Sequence, residues 1–132
     1  TTASVPLQQL QQTHPQEAVP QVWSCLIVKD AEKYIDEWAD YHFALGFTFF
    51  RIFDNSANFT MRDWAGKDDI YKDRVKVTHR TNIQGKVGTQ SLAYEECIRE
   101  ALVENVDWVA VIDVDEFIVT KKHTSVGDLM KD

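Results

Sequence analysis

The stretch Trp108-Val109-Ala110-Val111-Ile112-Asp113-Val114-Asp115-Glu116-Phe117-Ile118-Val119 decides how the chain is read. Its first half is apolar and β-branched, the pattern of a strand buried on both faces. It then breaks into three carboxylates, with Val114 alone between Asp113 and Asp115. Open α/β sheets present ligands at the carboxyl ends of their strands, so this is where a site is expected. Two hard oxygen ligands one residue apart suit Mn²⁺ or Mg²⁺, which keep positions open for phosphate oxygens. Acidic residues at a strand end also serve merely to solubilise a turn, so the flanking sequence has to decide.

Working upstream, Thr89 to Glu104 reads as a helix with Leu92, Ala93, Cys97, Ala101 and Leu102 along one face. Val75 to Thr78 is a short strand, followed by a polar loop from Thr81 to Gly88. Thr60 to Tyr71 has the pattern of a short helix. Phe49 to Phe53 is a strand closed by the turn-forming residues Asp54-Asn55-Ser56. Before it, Ala31 to Leu45 repeats Tyr34, Ile35, Trp38, Tyr41, His42 and Leu45 at helical steps, with Asp30 placed as its cap and Gly46 as its stop. Val22 to Val28 is the first strand. Short links between strand, helix and strand imply right-handed parallel units.

The fold class is therefore α/β: an open, mainly parallel, Rossmann-like sheet flanked by helices. In the usual order 3-2-1-4, Lys29-Asp30, Asp54-Asn55 and Asp113-Asp115 meet on one rim. That order also leaves the Val109 to Ile112 strand at an open edge, available to a second copy of the chain, its own tail or its leader. Residues 1 to 20 hold all three prolines and a glutamine cluster and read as a leader or stem, with the domain from 21 to 132.

Composition sets outer bounds. At 132 residues with 44% hydrophobic content, the chain supports one domain with a real core. A net charge of -7 argues against a nucleic-acid partner. No run is long and apolar enough to span a membrane. Cys25 and Cys97 make neither a disulfide framework nor a zinc set, and both are expected to be buried, reduced thiols. Asn58-Phe59-Thr60 forms a glycosylation sequon, usable in a secretory lumen.

An ordered set of residues resembles the N-terminal, donor-binding half of GT-A fold glycosyltransferases of the family 2-like and family 92 (DUF23-type) group. It runs from Cys25-Leu26-Ile27-Val28-Lys29 through Tyr34-Ile35-Asp36-Glu37-Trp38, Tyr41-His42 and Leu45-Gly46. It continues through Phe53-Asp54-Asn55-Ser56, Gln90, Ala93-Tyr94, Cys97 and Trp108 to Asp113-Val114-Asp115-Glu116-Phe117. The resemblance implies transfer of a sugar from a nucleotide-sugar, UDP-linked, to a glycan acceptor with Mn²⁺ or Mg²⁺. Asp113 would approach ribose and metal, Asp115 would ligate the metal, and Asp54 would hold base and ribose. Lys29, Asp30, Glu32, Asn55 and Gln90 complete the implied donor contacts. Where the group usually shows Lys-Asn-Glu, this chain has Lys29-Asp30-Ala31-Glu32, one residue longer. The catalytic base of such an enzyme is expected beyond Asp132. The compartment would be the Golgi or secretory lumen if a membrane anchor lies outside the segment, and the cytoplasm otherwise.

Other classes fit less well. A haloacid dehalogenase phosphatase carries Thr or Val where this motif has Phe117. An EF-hand would need Gly at Ile118 and Glu at Thr124. No phosphate-binding loop of the G-x-x-x-x-G-K-[ST] type is present. The rival from a different class is a domain that binds a nucleotide-sugar, or a partner, without turnover. Among single residues, His42, Trp38 and Trp108 are expected in the core, Glu116 beside the metal ligands rather than on the metal, and His79 and Lys86 either near a diphosphate or in solvent.

Overall fold

The computed structural model describes residues 19–64, 71–81, 89–121 and 125–127. Among these residues the elements are β1 (Val22–Val28), α1 (Ile35–Leu45), β2 (Phe49–Asp54), β3 (Val75–His79), α2 (Thr89–Val103) and β4 (Trp108–Val111). The strands form one sheet in the order β3-β2-β1-β4. Every pairing is parallel, so all four carboxyl ends share a rim. This is the α/β, Rossmann-like arrangement that the strand and helix pattern predicts.

Strand alternation builds two cores from β1 and β2. Val22, Leu26 and Val28 of β1, with Phe50 and Ile52 of β2, face α1 through Ile35, Trp38 and Ala39. The intervening residues Trp23, Cys25 and Phe53 face α2 through Ala93, Cys97 and Ala101. Arg51 also lies buried beneath α2, where Nε binds both oxygens of Glu100 and the guanidinium rests on the Phe53 ring. A buried cation at this position is tolerable only because it is paired.

Several expectations are corrected. Cys25 and Cys97 are buried, but they form a disulfide with Cα atoms 6.1 Å apart rather than two free thiols. Facing positions on β1 and α2 bring them within bridging range. The bond closes 72 residues of sequence and would stabilise the fold by about 4 kcal/mol in the loop-entropy model. Leu92 and Leu102 turn out to be exposed, so the apolar stripe of α2 is the narrower Ala93, Cys97, Ala101 line.

Asp30 does not cap α1. Its backbone adopts φ 50, its N–H donates to Ser56 Oγ at 2.7 Å, and the helix begins four residues past the expected start, after Tyr34. At the other end Gly46 takes φ 114, and Phe47 N–H donates to the His42 carbonyl, closing the helix as predicted. Of the residues that repeat at helical steps, Tyr34 and Tyr41 are exposed, while Ile35, Trp38 and His42 are buried.

β4 is not buried on both faces. It is the edge strand, Trp108 and Val111 are exposed, and burial is complete only at Ile112, just past its end. The expected helix from Thr60 is a series of turns as far as Asp63, and residues 65–70 lie outside the described residues. So do residues 1–18 of the expected leader and Lys86.

Candidate functional site

Three elements meet at the carboxyl rim beside the β1–β4 pair. β1 runs out into Lys29, β4 runs through Ile112 into Asp113, and the first turns of α2 bring Gln90 and Tyr94 across from them. Between them lies a cavity of 550 Å³ lined by Lys29, Tyr34, Glu37, Gln90, Tyr94, Asp113, Asp115 and Phe117, with Ile27, Val28, Ala31 and Val114.

The acidic segment is held by its backbone, which leaves its side chains open. Trp38 Nε1 donates to the carbonyls of Asp113 at 3.1 Å and Glu116 at 2.9 Å. Tyr41 Oη donates to the Ile118 carbonyl, and Ile118 N–H donates to His42 Nε2. His42 Nδ1 in turn lies 2.9 Å from the Trp38 carbonyl, which makes the neutral ring with its proton on Nδ1 the form that satisfies both neighbours. Burial holds the His42 imidazole below its ordinary pKa, partly offset by that bond. Within the segment, Glu116 Oε1 accepts from Asp113 N–H, and Glu116 N–H donates to the Asp113 carbonyl. Three residues of α1 thus fix where Asp113 and Asp115 stand.

Asp113 and Asp115 are both exposed on the cavity wall. Partial desolvation, then the charges of Glu116 and Asp115, push the Asp113 carboxyl above its ordinary pKa. Carboxylates crowded in this way favour a cation between them. Among the described residues no group of three or more His, Cys, Asp or Glu side chains converges to cage an ion. Two open carboxylates nonetheless fit a cation of the Mg²⁺ or Mn²⁺ type, which takes one or two protein oxygens and fills the rest from phosphate and water.

The other acidic strand end is arranged in the opposite way. Asp54 is fully buried, and both of its oxygens are occupied within the chain. Oδ1 accepts from the N–H and hydroxyl of Ser56, and Oδ2 accepts from Met61 N–H at 3.0 Å and from the Thr60 hydroxyl. Asn55 is buried beside it, and its amide, oriented to donate, faces the carbonyls of Arg80 and Thr81. His79 Nε2 lies 2.7 Å from the Ser56 carbonyl and its ring stacks on Phe59.

Of the residues singled out in the sequence, Lys29, Gln90, Asp113 and Asp115 share the cavity, whereas Asp30, Glu32, Asp54 and Asn55 do not line it. Sequence reasoning missed Tyr34, Glu37, Tyr94 and Phe117 as cavity walls. The signal was available in spacing: Tyr34 with Glu37 and Gln90 with Tyr94 are helical neighbours on one side. It also missed the indole N–H of Trp38, assigned to the core only as a hydrophobe.

The sequence profile of glycosyltransferase family 92 matches residues 22–132, from the first residue of β1 through the whole sheet and the cavity. The chain belongs to glycosyltransferase family 92. No curated protein matches it closely enough to add a relative. The match makes glycosyltransferase the functional class of the family, and the matched residues include the Asp113-Val114-Asp115 segment.

Proposed function

We propose that this chain forms the donor-binding part of a GT-A type glycosyltransferase that moves a sugar from a UDP-linked nucleotide-sugar to a glycan acceptor. The observation that carries this reading is the contrast inside the acidic segment: its backbone is pinned by α1 while the Asp113 and Asp115 carboxylates stay open to the cavity. These two side chains would hold Mn²⁺ or Mg²⁺. When bound, the cation supplies neutralisation of the charge that grows on the departing diphosphate.

The remaining wall suits the rest of such a donor. Lys29 brings a point charge able to meet a phosphate oxygen. Tyr34, Tyr94 and Phe117 provide aromatic surfaces for a base or sugar ring, and Gln90 provides an amide that can donate and accept. Asp54 has a different task in this reading: with its oxygens spent on Ser56, Thr60 and Met61, it shapes the neighbouring rim and makes no donor contact.

A ligand that binds only the folded state raises its stability. UDP with Mn²⁺ is therefore expected to raise the thermal midpoint of the chain, and UDP with chelator to raise it far less. The absence of any shift across a panel of nucleoside diphosphates in Mn²⁺ would contradict the proposal.

A further inference from the structure

The loop that follows β2 carries the sequon Asn58-Phe59-Thr60 on its outer surface. Its neighbours fasten the loop inward. Phe59 stacks on the His79 ring with centroids 4.9 Å apart, and the Arg62 guanidinium carbon lies over the Phe59 ring, 5.7 Å from its centroid. The Thr60 hydroxyl lies 3.1 Å from Ser56 Oγ and joins the group of donors around the buried Asp54. Asn58 itself is exposed, as is Ala57 before it. The residue that would be modified therefore stands at the surface, between a bend and two inward anchors.

A second, independent observation concerns the compartment. Cys25 and Cys97 form a buried disulfide between β1 and α2. Such bonds form and persist where the environment oxidises thiols, as in the lumen of the secretory pathway. That lumen is also where Asn-x-Ser/Thr acceptors meet the machinery that modifies them. The two features lie on different elements and neither requires the other, yet both call for the same surroundings.

We infer that Asn58 is an N-glycosylation site and that this domain matures in an oxidising secretory lumen. In the transfer, the Asn58 amide nitrogen bonds to the anomeric carbon of an oligosaccharide carried on a lipid diphosphate. The bond from that carbon to the diphosphate oxygen breaks, the lipid diphosphate leaves with the bonding pair, and one amide proton passes to the transferase. No residue from 55–64 lines the 550 Å³ cavity, so a glycan here sits on the β2 side of the rim and leaves the cavity open. The inference stands independently of the donor proposed for that cavity.

The test is expression of the full chain behind a cleavable signal peptide in eukaryotic cells, reading the whole pool, cell-associated and secreted. Peptide N-glycosidase is expected to collapse the wild type to the mass of the unmodified chain. Asn58→Gln should already run at that mass, while Thr60→Ser, which keeps a hydroxyl for both the sequon and the Asp54 loop, should stay modified. Alkylation in denaturant without reductant should find no free thiol in the lumenal protein and two in protein made in a reducing cytosol. A wild-type pool at the unmodified mass before enzyme treatment would overturn the site. Two alkylated cysteines in the lumenal protein, denatured without reductant, would overturn the compartment.

Discussion

The loops after β2 and β4 begin alike, with an apolar strand ending in aspartate at the same rim, and they are built for opposite purposes. At Asp54 the backbone and hydroxyls of the following loop turn back onto the carboxylate until both oxygens are occupied. At Asp113 and Asp115 the protein holds the carbonyls and leaves the carboxylates to the cavity. A carboxylate whose lone pairs are spent on the chain fixes a fold. One that is left open, with its backbone clamped, is free to meet a ligand at a defined place.

The largest expected effect is on the spent carboxylate. Asp54→Ala leaves buried N–H groups at Ser56 and Met61 without acceptors, each at a cost of about 1–3 kcal/mol. Denaturant unfolding should show a loss of about 3 kcal/mol in total, with less for Asp54→Asn, which keeps one acceptor. UDP affinity per folded molecule should be unchanged. A variant of full stability with weakened UDP binding would reverse the roles assigned to the two loops.

Trp38→Phe sharpens the other half of the comparison. It removes the indole donor shared by Asp113 and Glu116 while keeping an aromatic ring in the core. The expected cost is about 1–2 kcal/mol, from the lost hydrogen bond and a small void. Hydrogen exchange should speed up selectively over residues 113–118. Acceleration spread evenly over the sheet would mean that Trp38 acts only as packing.

A smaller effect follows from His42, whose ring packs among Trp38, Tyr41, Phe47 and Phe117 and bonds Ile118 N–H. Burial depresses its pKa, so the unfolded chain takes up a proton at about pH 6.5 and the folded chain only at lower pH. Its contribution is complete above about pH 6.5 and is lost as pH falls from there through the folded value. The unfolding free energy of wild type should therefore fall between about pH 7 and about pH 5.5 more than that of His42→Phe. Parallel pH slopes for the two proteins would contradict this.

Much of the architecture was legible because it is written in local patterns. Apolar runs, short links and Gly46 lead to parallel units and to the order β3-β2-β1-β4. The position of Asp113 and Asp115 at a strand end follows from the same reading. What escaped depends on how faces meet. The disulfide requires knowing that Cys25 lies on the Trp23–Phe53 side of the sheet and that α2 presents Cys97 to that side. Alternation along β1 and the four-residue step Ala93, Cys97, Ala101 carried that information, but only once the layers were assigned. The burial of Asp54 was hidden more deeply, since its partners are mostly backbone groups whose direction depends on the path of the loop. Trp108 was misjudged because an edge strand and a central strand share a composition.

The central claim rests on one measurement, calorimetric titration of UDP into wild type and Asp115→Asn, each with Mn²⁺ and then with chelator. The substitution nearly preserves volume on an exposed wall, so the fold should be untouched. Wild type should bind much more tightly in Mn²⁺ than in chelator, and Asp115→Asn should lose most of that gain while matching wild type in chelator. Equal affinity of the two proteins in Mn²⁺ would contradict the assignment of the open carboxylates to a metal-bridged donor.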